Sequence, residues 1–294
     1  MRRYVRFHGL RHPDQLGVED VNAFLTHVAV ERRASASTQA QARAALLFLY
    51  DEVLKRPLDG VGRNVILGKN PRPLPTVLTR NEIGRVLRKL SGTPQLVAST
   101  LYGSGLRLSE GLRLRVKDLD LERREVTIRS GKGGRDRISV IPGTLVPRLT
   151  EQIQIRRALH DKDLAAGLGR AVLPDSFAIK SPLAGVEFGW QFVFPASTST
   201  TDPHTGARGR FHLHPTSIQR AVRQAGRSLG LTKRVTCHIF RHSFATHLLE
   251  DGYDIRTIQE LLGHRSVNTT MVYTHVLNRG GRGIRSPLDT IWET

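Results

Sequence analysis

Four short patches carry the residue types that do chemistry. Gly103-Ser104-Gly105-Leu106-Arg107-Leu108-Ser109-Glu110 sets an arginine behind a glycine turn, at the start of an amphipathic helix. Gly131-Lys132-Gly133-Gly134 puts a lysine at the tip of a turn between two strand-like runs. In His238-Ile239-Phe240-Arg241-His242 the first histidine and the arginine are three residues apart, one turn along one helix face. Leu262-Gly263-His264, followed by Tyr273, ends a helix at a glycine that turns His264 outwards.

Together these groups suit one task. Two arginines can hold both non-bridging oxygens of a phosphate and stabilise the added charge of a pentacoordinate transition state without a metal. A lysine on a hairpin can protonate a leaving alkoxide. Histidines can shuttle protons or donate to the phosphate near neutral pH. A tyrosine phenol becomes a nucleophile once a cationic site lowers its pKa. The set describes nucleophilic cleavage of a phosphodiester, with a phosphotyrosine link that would conserve the bond energy for rejoining without ATP.

Each piece alone is weak. A GKGG turn is usually only a hairpin turn, and it lacks the spacing and the following Ser or Thr of a phosphate-binding Walker loop. A lone tyrosine is more often a core aromatic. Tyr253, the rival nucleophile, sits beside Asp254 at a helix start and reads as packing. His238 and His242 lack the adjacent glutamate of the HExxH pattern, which argues against zinc hydrolysis.

The composition points to the same partner. Lys and Arg number 45 against 26 Asp and Glu, a formal net charge of +19 over 294 residues. Such an excess implies a polyanion, nucleic acid before an anionic membrane. With 39% hydrophobic and 24% charged residues the chain can bury a core, and its length suggests about two domains. A single cysteine, Cys237, excludes an intrachain disulfide and a CxxC-type zinc site. No apolar run is long enough to span a membrane, and the basic N-terminus lacks the apolar core of a signal peptide. A soluble intracellular protein is the expectation.

The elements that must position these residues are mostly helical. Apolar residues at Val18, Val21, Phe24, Leu25 and Val28 predict a helix over 18–33. Ala42, Ala45, Leu46, Leu49, Tyr50 and Val53 predict a second over 38–54, capped by Ser37 or Thr38. A Pro-rich run over 68–76 reads as an extended linker. Thr79-Arg80-Asn81-Glu82 is a capping box opening a second domain. Glu125–Arg129 and Asp136–Ile141 read as the two strands of a hairpin, and helices are expected at 147–166, 215–229, 238–250 and 254–262. The stretch over about 170–212, polar yet aromatic, reads as a functional insertion.

In this order and spacing, GLRLSEGL, the GKGGRDR hairpin, HIFRHSFATHLLEDG and LLGHRSVNTTMVYTHV resemble the tyrosine recombinase (phage integrase) family over residues 79–278. The resemblance implies a mostly α (α+β) fold. A small helical, SAM-like core-binding domain over 1–67 would be joined by the 68–76 linker to a mainly helical catalytic domain over 77–294 with a small antiparallel hairpin. The two domains would clamp DNA as a C. It also implies roles: Arg107 and Arg241 as the phosphate-binding pair, Lys132 as general acid, His238 and His264 as the active-site histidines, and Tyr273 as nucleophile. Glu110 would orient the first arginine, and His242 would support the second. No metal or nucleotide cofactor is implied.

LYGSGLRLSEGLRLRVKDLD, GYDIRTIQELLGH and THVLNRGGRGIRSPLD are similar to the integron integrase subgroup, as is the Trp-containing insertion. That likeness implies integration or excision of gene cassettes in a bacterial, nucleoid-associated cytoplasmic setting. The partners implied are a duplex attachment site and a folded single-stranded cassette site, with a homo-tetramer on synapsed DNA. The basic, glycine-rich tail from Thr274 to Leu288 would dock in a neighbouring protomer. Trp190, Pro203, Phe211 and His212 would stack on or clamp an extruded base, an interaction that an aromatic face favours in its own right. The subgroup usually has two adjacent histidines where this chain has Phe211-His212. Its members also carry a longer leading segment, so an N-terminally shortened core-binding domain is expected. The competing reading is a DNA-binding module of the same fold that has lost recombination activity. A metal-dependent nuclease built on the histidines is a third.

Overall fold

The computed structural model describes residues 1–61, 75–129, 136–173, 177, 180–201, 206 and 208–274. They belong to two compact units, Met1–Pro73 and Leu74–Thr294. Lys132, Pro203, the tail beyond Thr274 and most of the 68–76 linker lie outside the described residues.

The first unit is helical. α1 (Arg2–Phe7), α2 (Val18–Ala29) and α3 (Ala36–Phe48) bury Tyr4, Val21, Phe24, Leu25, Leu46 and Tyr50 against one another. The Tyr4 and Tyr50 hydroxyls meet at 2.9 Å, and Tyr50 Oη also donates to the Pro13 carbonyl at 2.8 Å. Details differ from the sequence expectation. α2 ends at Ala29 rather than at 33. The α3 cap is Ser35, whose hydroxyl accepts from the Thr38 amide, rather than Ser37 or Thr38. And from Leu49 to Val53 the helix widens to a π-turn. The wider turn slows the rotation per residue, so Val53, on the buried face at regular helical spacing, is 61% exposed. Ala45 is exposed too.

The second unit opens with the expected capping box. Thr79 Oγ1 accepts from the Glu82 amide at 3.2 Å, and Glu82 Oε2 accepts from the Thr79 amide at 2.7 Å. α4 (Arg80–Lys89) then buries Ile83 and Val86. α5 (Gly92–Gly103) packs along α9 (Cys237–Glu250) and α8 (Pro215–Ser228). Leu101, Leu106, Leu112, Val222, Ile239 and Phe240 share one core with β2 (Glu125–Ile128), through Val126 and Ile128. β2 lies between β1 (Leu119–Asp120), a strand the sequence did not signal, and β3 (Arg137–Val140), all antiparallel. α7 (Val146–Ala165), α10 (Ile255–Leu262) and α11 (Val267–Met271) complete the helices used below. Among the described residues no helix is long and apolar enough to cross a membrane.

The described residues of the 170–212 stretch are docked on the rest of the second unit. Phe192, Val193 and Phe194 are buried, and the Val193 amide donates to the Leu114 carbonyl at 2.9 Å. Buried Gln191 accepts from Arg156 at 2.6 Å and donates to the Gly169 and Gly185 carbonyls. A short ribbon, β4 (Thr200–Thr201) with β5 (Arg208–Gly209), lies beyond it. Arg210 forks onto Asp163 of α7 at 2.7 and 3.0 Å. Gln191 and Arg210 thus have specific partners, which is what a stretch poor in regular hydrogen bonding needs in order to hold one conformation.

Candidate active site

Three elements converge on one carboxylate. Gly105, at φ 62°, makes the turn after α5, and a Cβ there would lie 2.5 Å from the Phe244 ring. The turn delivers Arg107 as the N-cap residue of α6 (Leu108–Leu112), a helix of one turn and a half. Glu110, three residues on, folds back. Its Oε2 accepts from the Arg107 amide at 2.8 Å and its Oε1 from Arg107 Nη1 at 2.7 Å. From α9, Arg241 Nη1 approaches Glu110 Oε2 at 3.6 Å. From β3, Arg137 forks onto the same carboxylate at 2.7 and 3.1 Å.

Arg241 is only 1% exposed, and both its Nη atoms are hydrogen-bonded. It donates to the Gly105 carbonyl at 2.7 Å, to the Leu262 carbonyl, and to His264 Nε2 at 3.2 Å. Burial and the neighbouring Arg107 push it below the usual arginine range, while Glu110 opposes the shift. Glu110 feels the reverse balance. Burial alone would raise it, but hydrogen bonds from Arg137 and from the Arg107 amide hold it near 2.

Gly263, at φ 63°, ends α10 in the left-handed conformation expected of it. The turn brings His264 inward, against Arg241, rather than outward. Because Arg241 can only donate, His264 Nε2 accepts, and its Nδ1–H therefore donates to Thr270 Oγ1 at 2.9 Å. Burial, then Arg241, Arg107 and Arg137, lowers His264 to about 3, so it is neutral near pH 7. Burial and the neighbouring His238 likewise lower His242 to about 4.

Tyr273 is 2% exposed, packed with Phe244, Ile258 and Leu262. Its hydroxyl lies 3.0 Å from His242 Nδ1, and its ring is near-parallel to that of His264 at 6.2 Å. Cationic neighbours were expected to lower its pKa. In this conformation burial outweighs Arg241 and Arg107, and the phenol is raised. His238, exposed at the start of α9, stands edge-on to His242 at 4.2 Å. Tyr253 is 54% exposed instead of packed, while Asp254 caps α10 by accepting from the Arg256 and Thr257 amides.

The structure thus brings Arg107, Glu110, His238, Arg241, His242, His264 and Tyr273 into one cluster. Lys132 falls outside the described residues. Of the base-contact candidates, Trp190 stacks on Phe177 at 4.5 Å with Lys117 Nζ 2.8 Å from its ring centre. His212 stands edge-on to Phe192 and its Nδ1 donates to the Leu213 carbonyl, and Phe211 is half-buried. These residues lie apart from the carboxylate cluster in the hydrogen-bond pattern, joined to the catalytic core through Arg115, which donates to the Trp190 and Val172 carbonyls. Sequence reasoning missed Arg137. The available signal was the strand Arg137-Ile138-Ser139-Val140, in which the polar residues share one face. Among the described residues no group of three or more His, Cys, Asp or Glu could hold a metal ion.

Comparison with known proteins agrees with this architecture. The phage integrase family model matches residues 76–279, and a phage integrase N-terminal SAM-like domain matches residues 1–60. An integrase/recombinase of Escherichia coli is 49% identical over 294 residues, covering 99% of this chain and 86% of that one. Tyrosine recombinase XerA of Pyrococcus furiosus is 35% identical over 211 residues, 71% of this chain and 60% of its own. Among solved structures, the XerH site-specific recombinase bound to difH substrate, a pre-cleavage complex, aligns with a TM-score of 0.58 at 23% identity. That alignment covers 97% of this chain and 72% of that one, and it is a likeness of fold. The chain belongs to the phage integrase family, the tyrosine recombinases, and is a site-specific recombinase.

Proposed function

We propose that this recombinase cuts and rejoins DNA through a 3′-phosphotyrosyl intermediate, with Tyr273 as the nucleophile, and that it is of the integron integrase type, integrating or excising gene cassettes. The observation that carries the chemistry is the single buried carboxylate of Glu110 gathering Arg107 and Arg241, with His264 and Tyr273 alongside. More guanidinium charge than carboxylate charge surrounds it, the condition under which a phosphate is bound and its developing charge stabilised.

Arg107 and Arg241 grip the scissile phosphate. The Tyr273 hydroxyl gives up its proton to water as its oxygen bonds to phosphorus and the bond to the 5′ oxygen breaks, and Lys132 protonates that leaving oxygen. His238 hydrogen-bonds the phosphate, His264 completes the site by holding Arg241 in place, Glu110 orients Arg107, and His242 holds the phenol until DNA arrives. Tyr273 exchanges its His242 contact for the phosphate, and there the arginines act on it without the burial that now raises it. A 5′-hydroxyl from a partner strand reverses the step. No metal or nucleotide cofactor takes part. Residues 1–67 form the core-binding domain and 68–76 the linker. The recombinase acts as a tetramer on duplex and folded single-stranded sites, in the bacterial cytoplasm at the nucleoid. Trp190, Pro203, Phe211 and His212 form the surface that meets an extruded base.

A nicked duplex that traps the cleaved strand tests the chemistry. Wild type should give a covalent protein–DNA band that Tyr273→Phe lacks, even in excess EDTA. A binding module would give no band on any substrate. On a folded single-stranded site Trp190→Ala should lose about 1–3 kcal/mol of affinity if a base stacks there. Equal losses on folded and plain duplex sites would assign Trp190 to packing against Phe177 alone.

A further inference from the structure

β3 is built inside out. Alternation along an edge strand normally buries the apolar residues. Here Ile138 and Val140 are 57% and 45% exposed, and the inward positions belong to Arg137 and Ser139. A one-residue slip would bury both apolar side chains, so the observed register gives up that burial for what the polar pair does. Ser139 Oγ donates to the Ser104 carbonyl at 2.8 Å, fastening β3 to the turn that delivers Arg107. Arg137 reaches further. Its two Nη atoms fork onto Glu110, and its Nε donates to the Leu261 carbonyl at 2.9 Å. Its stem also lies against Gly263, where a Cβ would come within 2.7 Å of Arg137 Cδ.

We infer that Arg137 is a positioning residue for strand cleavage. One planar guanidinium ties Glu110, and through it Arg107, to the end of α10, whose Leu262 carbonyl and His264 hold Arg241. The two phosphate-gripping arginines come from different elements, and Arg137 sets the distance between them. It also shares both Glu110 oxygens with Arg107 and neutralises the carboxylate, so that Glu110 orients Arg107 without cancelling the positive charge the phosphate needs. A lysine in its place would keep the charge but lose the fork. The inference rests on the reading of Arg107 and Arg241 as the phosphate-binding pair.

The test is single-turnover formation of the covalent adduct on the nicked duplex, with rate constant, amplitude and DNA affinity measured separately. At saturating DNA, Arg137→Met should slow the rate constant about 100-fold while its Kd for DNA stays within about threefold of wild type. Arg137→Lys should recover part of that loss, remaining about tenfold slower than wild type. Should Arg137→Met fail to fold, Arg137→Lys carries the test alone, and a rate constant equal to wild type overturns the inference. A loss of amplitude with an unchanged rate constant also overturns it, since that is the signature of a residue that only stabilises the fold. A wild-type protein that forms no Tyr273-dependent adduct overturns the reading of the site and this inference with it. A wild-type adduct matched in rate by Arg137→Met overturns this inference alone.

Discussion

Glu110 shows how one side chain can organise a site it does not chemically enter. It is an acid among three arginines, with both oxygens engaged. Its folded pKa near 2 lies below the ordinary 4.5, so the stability it contributes is present above the ordinary value and is lost as pH falls toward the folded one. The free-energy gap between wild type and Glu110→Gln should therefore be constant above about pH 5.5 and shrink between about pH 4.5 and 2. At its widest it should be on the order of 3 kcal/mol. Urea unfolding of both proteins across that range checks it, and a gap independent of pH would mean the arginines do not hold the carboxylate ionised. The same desolvation that costs Glu110 leaves His264 and His242 neutral before DNA binds, as hydrogen-bonding imidazoles rather than cations.

At the scale of elements, the site depends on tight turns more than on helix length. α6 has only five residues, and what fixes Arg107 is the turn at Gly105 packed against Phe244 of α9. Gly230 shares its positive φ, 62° at both positions, but a Cβ at Gly230 would meet nothing within 4 Å. Gly230→Ala should thus cost only the left-handed strain, about 1–2 kcal/mol. Gly105→Ala should cost that and about 1–3 kcal/mol more for overpacking. Equal losses of thermal stability in the two variants would remove the Phe244 contact as a determinant. The aromatic stretch over 170–212 was legible as something other than a linker from its Trp190 and phenylalanines. Its attachment was not, because the Arg156–Gln191 and Arg115–Trp190 bonds join residues 35 and 75 positions apart in the chain.

For the whole molecule, a charge of +19 leaves a large excess after the ion pairs around Glu110, Asp118 and Asp163 are formed. Binding to DNA should therefore weaken steeply with salt, by roughly a thousandfold between about 50 and 200 mM if six or more phosphates are neutralised. A titration by fluorescence anisotropy reads the slope, and a flat response would mean that the excess charge does not face the DNA backbone.

Local order was readable from the residues themselves. The Thr79–Glu82 capping box, the Gly263 helix end, the hairpin and the main helices all follow from steric and hydrogen-bonding rules that act within a few residues. The same holds for the chemistry-bearing set, because arginine, histidine and tyrosine in that order and spacing restrict what the site can do. Tertiary structure alone decided the rest. Which face of β3 points inward could not be read from alternation, since Arg137 and Ser139 displace Ile138 and Val140 only in the presence of Glu110 and Ser104. Whether cations or burial set the Tyr273 phenol also depended on how deeply Phe244, Ile258 and Leu262 enclose it. Spacing along a chain fixes which side chains can share a face, but desolvation and pairing are properties of the space that distant segments close around them.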